Sequence, residues 1–165
     1  MAISQADRDW FCDRLRENWT SLYRLARSIT GSDADAQEVM AQAAYLAWAR
    51  FGQLRQREKF RFWLLKIAAN EARQLCRRRR GRTVPLEELG TEPAAPEREP
   101  EDHSLWQAVQ ALPRDQREAV VLFYWEDLPT EEIARIVGAA PGTVRVRLSR
   151  AREQLRKWLE VERDG

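Results

Sequence analysis

The stretch LPRDQREAVVLFYWEDLPTEEIARIVGAAPGTVRVRLSRAREQLR, residues 112–156, decides the fold. Its last third predicts a helix that begins at Pro141, because proline is favoured at the first helical position, where its missing N–H costs nothing. From there Val144, Leu148, Ala151, Leu155 and Leu159 recur at three- and four-residue spacing. At roughly 100° per residue these five fall within an arc of about 80°. Arg145, Ser149 and Arg156 project to one side of the stripe, while Val146, Arg150 and Glu153 lie nearly opposite it. Between Arg145 and Lys157 the cations Arg145, Arg147, Arg150, Arg152, Arg156 and Lys157 face Glu153 alone. Such a face suits phosphates and guanine edges. Upstream, Ile133, Ala134, Ile136 and Val137 mark a short helix that stops at Gly138, in the position of a left-handed C-cap. Residues 138–140 then supply the tight turn of a helix-turn-helix. A plain helical hairpin with a solvated basic face would share each feature singly; the combination favours a DNA reader.

The 165 residues can form one domain or two small ones, and a 44% hydrophobic fraction with seven tryptophans is enough for real cores. No apolar run approaches the ~20 residues of a membrane span. The polar, acidic N-terminus is no secretory signal, so a cytoplasmic protein is expected. Cys12, Cys76 and His103 form no metal-ligand pattern, and no nucleophile motif or Gly-rich phosphate loop is present. The expectation is a binding protein with no cofactor, not an enzyme. A net charge of +2 conceals segregation: residues 73–82 carry six arginines and no acid, and residues 83–103 carry seven acids and only Arg98. A pure basic run ending a helix favours a polyanionic partner.

No β-alternation is evident, so the expected class is all-α: two small helical domains joined by a flexible acidic linker. In the first domain, residues 1–82, one opening helix is expected to bury Phe11, Leu15, Leu22, Leu25, Ala26 and Ile29 and to end near Gly31. A second, capped by Ser32 or Asp33, carries Met40, Ala44, Ala47, Trp48 and Phe51. Residues 52–59 form a polar connector to a third helix with Phe60, Trp63, Leu64, Ile67, Ala68 and Leu75 inward, which runs into the arginines. Three such helices pack as a bundle. Residues 83–103 hold four of the seven prolines and few large apolar side chains, the composition of an extended tether. It reaches at most ~70 Å, and could let two DNA-binding units sit roughly 20 base pairs apart. The second domain, residues 104–165, has a lead helix through Leu112, a long apolar helix opened by Pro113, and the helix-turn-helix.

Together these features resemble an extracytoplasmic-function sigma factor of bacterial RNA polymerase. The strongest match is Leu112-Pro113 with Gln116-Arg117-Glu118, then Glu131-Glu132-Ile133-Ala134, Gly138, Gly142-Thr143-Val144-Arg145, Arg147-Leu148 and Arg150-Ala151-Arg152. These residues look like the family's region four, which reads the minus-35 promoter element in the major groove. The resemblance implies Thr143, Arg145, Val146, Arg147, Ser149, Arg150 and Arg152 as contacts. A second match, Phe60, Trp63-Leu64, Ile67-Ala68 and Asn70 before the arginine block, looks like the region that recognises and melts the minus-10 element. It implies Lys59, Phe60, Arg61, Phe62, Trp63, Asn70, Arg73 and Arg77, with residues 52–59 cradling a flipped non-template base. Aromatic rings and cations are what an unstacked strand needs, although core packing would equally explain Phe60 and Trp63. The helix after Asp35 is implied to dock on core polymerase through Asp35, Glu38, Val39, Gln42 and Leu46. An anti-sigma protein is implied as a further partner.

The chain departs from the family pattern at several places. The docking helix reads Gln37-Glu38-Val39-Met40-Ala41-Gln42-Ala43-Ala44, with Ala41-Gln42 where relatives have Gln-Glu. Gln74 stands at the place of an aspartate. Pro129 and Ala140 replace the serine caps of the helix-turn-helix, so Thr130 is expected to cap the first helix and Pro141 to start the second. Val146, commonly polar in relatives, is expected to meet a thymine methyl while Arg145 or Arg150 reads guanine or grips phosphate. Two other classes fit the same residues: a stand-alone helix-turn-helix regulator, distinguished by specific duplex binding without polymerase, and a sigma mimic that only sequesters an anti-sigma factor.

Overall fold

The computed structural model describes residues 3–81 and 103–164. The chain divides into two compact units, residues 1–89 and 90–165. All regular structure among the described residues is helical. The acidic tether of residues 83–103 lies, except for His103, outside the described residues.

Among its described residues the first unit holds four long helices rather than three. α1 (Gln5–Glu17) opens with a reciprocal capping box between Ser4 and Asp7. α2 (Trp19–Thr30) follows after a break at Asn18, where the expected single opening helix is interrupted. At the break the buried Asn18 side chain donates to the Arg14 carbonyl at 2.8 Å, while its own N–H is shared between the Arg14 and Leu15 carbonyls at 3.2 Å each. α2 ends at Gly31 with φ 73°, a left-handed C-cap. Ser32 then caps α3 (Asp33–Ala49), accepting from the Asp35 N–H at 3.3 Å. Two single 3₁₀ turns, Phe51–Gln53 and Arg57–Lys59, lead into α4 (Phe60–Arg80).

α2, α3 and α4 pack on one another around Leu22, Leu25, Ile29, Val39, Met40, Leu64, Leu65 and Leu75. Alanines 43, 47, 68 and 72 are buried between these large side chains, where a small residue lets helices approach. α1 closes one end through an aromatic cluster. Phe11 meets Trp48, Phe51 and Phe60 edge-on at 5.1, 5.3 and 5.6 Å, and Trp10 meets Phe60 at 5.3 Å. Edge-to-face geometry sets the positive ring edge on the negative ring face.

In the second unit α5 (His103–Gln110) precedes α6 (Arg114–Val120), whose N-cap is Pro113, one place before the first helical position. The expected long helix changes character at Val121: residues Val121–Trp125 form a π-turn, closed by the Glu126 N–H on the Val121 carbonyl at 3.2 Å. The chain reverses at Asp127, φ 54°, a conformation that aspartate tolerates. α7 (Thr130–Val137) has Pro129 as its N-cap with no side-chain bond, so Thr130 is the first helical residue and not the cap. α7 ends at Gly138, φ 73°, and α8 (Pro141–Asp164) begins at Pro141. Trp106 packs edge-on against Trp125 at 5.5 Å, and Val109, Leu122, Ile133, Ile136, Val144, Leu148 and Ala151 fill the core. The α8 stripe is buried through Ala151, half-buried at Leu155 and 48% exposed at Leu159, so its last turn runs beyond the core it was expected to cover.

Candidate nucleic-acid interface

Burial of Val144, Leu148 and Ala151 fixes which side of α8 faces solvent. Thr143, Arg145, Val146, Ser149, Arg150 and Arg152 are exposed, and Val146 is an apolar residue 48% exposed in the middle of that basic face. Arg147 is half-buried and leans toward Asp115 at 3.9 Å. Arg152 is held more firmly: its Nε donates to the Tyr124 hydroxyl at 2.6 Å, and its guanidinium carbon lies 5.6 Å from both the Phe123 and Tyr124 ring centroids. Tyr124 is thus a functional candidate that periodicity did not single out. It sits inside an apolar run, within the π-turn, and is 48% exposed.

A second surface follows one face of α4. Lys59, the adjacent pair Phe62 and Trp63, Lys66, Asn70, Arg73 and Arg77 follow one another, the pair apart, at three- and four-residue steps. Asn70 and Arg77 are exposed; Arg61, Phe62, Trp63 and Arg73 are half-buried. At its start lies an open cleft of about 410 Å³, lined by Gln53, Leu54, Arg55, Gln56, Lys59, Phe62, Trp63 and Lys66. Most of the expected cradle therefore converges on one concavity, joined by Lys66, which was legible only as the continuation of the Lys59 and Phe62 face. Phe60 does not join it. It is 2% exposed within the aromatic cluster under the loop, where it acts as a packing anchor.

A different face of α4 meets α3 in a groove of about 340 Å³ lined by Glu38, Val39, Gln42, Leu46, Glu71, Gln74, Leu75 and Arg78. Four residues expected at the docking surface meet here, with Val39 at the floor and only 1% exposed. Asp35 and Glu38 both pair with Arg79, at 3.1 and 3.5 Å, so the arginine block partly neutralises the acids of α3. Tyr45, one turn beyond Gln42, is 66% exposed. It stands off the buried stripe, so helical periodicity passes over it, although a large aromatic on a surface of small and polar residues is what an interface anchor looks like.

Two family models match the chain: Sigma-70 region 2 over residues 15–82 and Sigma-70, region 4 over residues 102–155. The RNA polymerase sigma-E factor of Streptomyces coelicolor is 31% identical over 156 residues, covering 93% of this chain and 88% of that protein. The ECF RNA polymerase sigma factor SigE of Mycolicibacterium smegmatis is 34% identical over 88% of this chain and 60% of its own length. The chain belongs to the extracytoplasmic-function class of the sigma-70 family.

As a sigma factor it is a transcription initiation factor that acts with RNA polymerase on promoter DNA. The chain also matches the "Probable RNA polymerase sigma factor RfaY" of Xanthomonas campestris at 35% identity, spanning 82% of this chain and 36% of that longer protein. Among solved structures, the sigma factor RpoE of Bartonella quintana, in complex with the anti-sigma factor NepR, superposes with a TM-score of 0.75 at 26% identity, over 92% of this chain and 97% of that one. No helix among the described residues is long and apolar enough to cross a membrane.

Proposed function

We propose a division of labour among three surfaces of this sigma factor. α8 lies in the major groove of the minus-35 element, with Arg145, Val146, Ser149 and Arg150 at base edges and Thr143, Arg147 and Arg152 on the backbone. Held by Tyr124, Arg152 meets a phosphate without first losing its side-chain freedom. The 410 Å³ cleft takes one unpaired base of the minus-10 element between Phe62 or Trp63 and the cations Lys59 and Lys66. Asn70, Arg73 and Arg77 track the strand that leads away from it, since stacking and cationic grooves together bind single strands. The α3 face, Asp35, Glu38, Gln42, Tyr45 and Leu46, docks core polymerase. The functional domains run over residues 1–82 and 104–165 with a linker between them.

The single observation that carries this reading is the pairing of an exposed cationic helix face with a ring-lined cationic cleft in one chain. A duplex-only regulator has no use for the cleft. The protein works as a binding factor in the cytoplasm, where polymerase is, and an anti-sigma protein is a further partner, as in the Bartonella quintana complex of a relative.

Reconstituted transcription with core polymerase and a library randomised in both promoter elements tests the proposal. Co-elution with core polymerase and selection at both elements are expected. Failure to co-elute would remove the polymerase-dependent reading, and specific duplex binding by the isolated protein would install the stand-alone regulator instead.

A further inference from the structure

The loop that walls the cleft is held by one side chain pointing the other way. Gln53, Leu54, Arg55, Gln56 and Lys59 line the cavity; Arg57 does not. Its guanidinium donates to Asp7 Oδ1 on α1 and lies 4.8 Å from the Trp10 ring centroid and 5.6 Å from that of Phe51. The acceptor is itself fixed, because the Ser4 hydroxyl donates to Asp7 Oδ2 at 2.8 Å within the α1 capping box. The platform is fixed too: Trp10 stacks on buried Phe51 at 5.9 Å and meets Phe60, the first residue of α4, edge-on. By contrast the loop's backbone bonds are local turns, Gln53 N–H to Arg50, Leu54 N–H to Phe51 and Lys59 N–H to Gln56. They shape the loop but do not tie it to the bundle.

We propose that Arg57, through Asp7 and Trp10, is a positioning residue that holds the cleft wall at a fixed distance from Phe62 and Trp63 and so sets which base the cleft accepts. This rests on the reading of the cleft as the seat of an unpaired minus-10 base. An exposed ion pair alone would hold the loop weakly. Stacking of the planar guanidinium on two rings adds a directional constraint that a lysine does not reproduce. Asp7 reinforces the latch at neutral pH: donation by Arg57 first, then by the Ser4 hydroxyl and N–H, keeps its carboxyl ionised below the ordinary aspartate range.

The test uses the full chain with core polymerase and a minus-10 library, read as base preference at each position, with 2-aminopurine fluorescence reporting base extrusion. Arg57→Ala is expected to flatten preference at the extruded position by about tenfold, near the low end of what one wrong base ordinarily costs. Preference at the minus-35 element and co-elution with core polymerase should stay unchanged. Arg57→Lys should fall between the two. If circular dichroism shows that Arg57→Ala does not fold, Asp7→Asn carries the test, since an amide still accepts from Ser4, and a smaller flattening at the same position is expected. Equal selectivity of wild type and variants overturns the latch alone. A wild-type factor with no preference at any minus-10 position removes both the latch and the cleft reading.

Discussion

Val146 concentrates the question of promoter preference in one side chain. It is apolar and exposed on a face of arginines, where a thymine methyl is its natural complement. Val146→Ser should change preference at one minus-35 position in a binding-site selection and leave the others alone. Arg150→Ala should weaken binding and, if Arg150 neutralises a phosphate, lower the slope of log affinity against log salt by about one. On α3, Arg79 holds Asp35 and Glu38, so Arg79→Ala should release both acids and raise affinity for core polymerase by about threefold, the worth of an exposed pair. Titration separates two further residues. Tyr23 is pushed up to about 12, by burial first and then by its 2.8 Å bond to Asp33. A raised pKa stabilises the fold below the unfolded-state value, and that contribution is lost as pH climbs toward 12. Ultraviolet titration should show a tyrosine step near 12, and Tyr23→Phe should abolish it. Asp7 has the opposite sign: its contribution is present above 3.8 and is lost as pH falls through its lowered value. Carboxyl NMR should place its midpoint below 3.8, and Arg57→Ala should move that midpoint upward.

Among the elements, the turn into α8 is built from backbone rather than from side-chain caps. Pro129 gives α7 no side-chain bond, and α8 starts on the proline's fixed φ behind Ala140. Gly138 then bears more of the geometry than a capped turn would ask of it. A Cβ there meets nothing within 4 Å, so the cost of Gly138→Ala is backbone strain alone at φ 73°. A loss of about 1 kcal/mol is expected in thermal unfolding, with Gly138→Asn milder because asparagine tolerates the left-handed region. The π-turn at Val121–Trp125 is the other element with a consequence, since it carries both rings that seat Arg152. Tyr124→Phe removes the hydroxyl partner yet keeps the ring, so it should lower minus-35 affinity less than Tyr124→Ala does in the same binding assay.

For the whole molecule, placing the two proposed DNA-contacting surfaces on separate compact units predicts that damage to either promoter element is felt separately. Much of that plan was legible in the chain. Helix ends at Gly31, Gly138 and Pro141 are local backbone chemistry, and the buried faces of α2, α4 and the first part of α8 follow from periodicity, which a single helix expresses by itself. The basic face of α8 needed no partner to be seen. The features that escaped the sequence depend on contacts between residues distant in the chain or on one side chain overriding a periodic pattern. The stripe from Phe11 to Ile29 continues through Asn18 without a break in spacing, so nothing announced that its amide would take the Arg14 carbonyl. Phe60 has the residue type of a stacking platform as well as an inward place in the periodic pattern, and the packing of Trp10 and Phe11 from α1 decides for the buried anchor. Tyr124 lies in an apolar run that reads as core, yet it is exposed and meets Arg152 from α8. Arg57 lies fifty residues from Asp7, and no local rule pairs them. By itself, then, the sequence determined the helical class, the reading helix and the two-unit plan, because propensity and patterning act over a few turns. Tertiary packing alone decided which aromatic rings stay at the surface, which hold the core and which side chain reaches from the loop to α1, because those outcomes depend on which distant side chain arrives to cover each face.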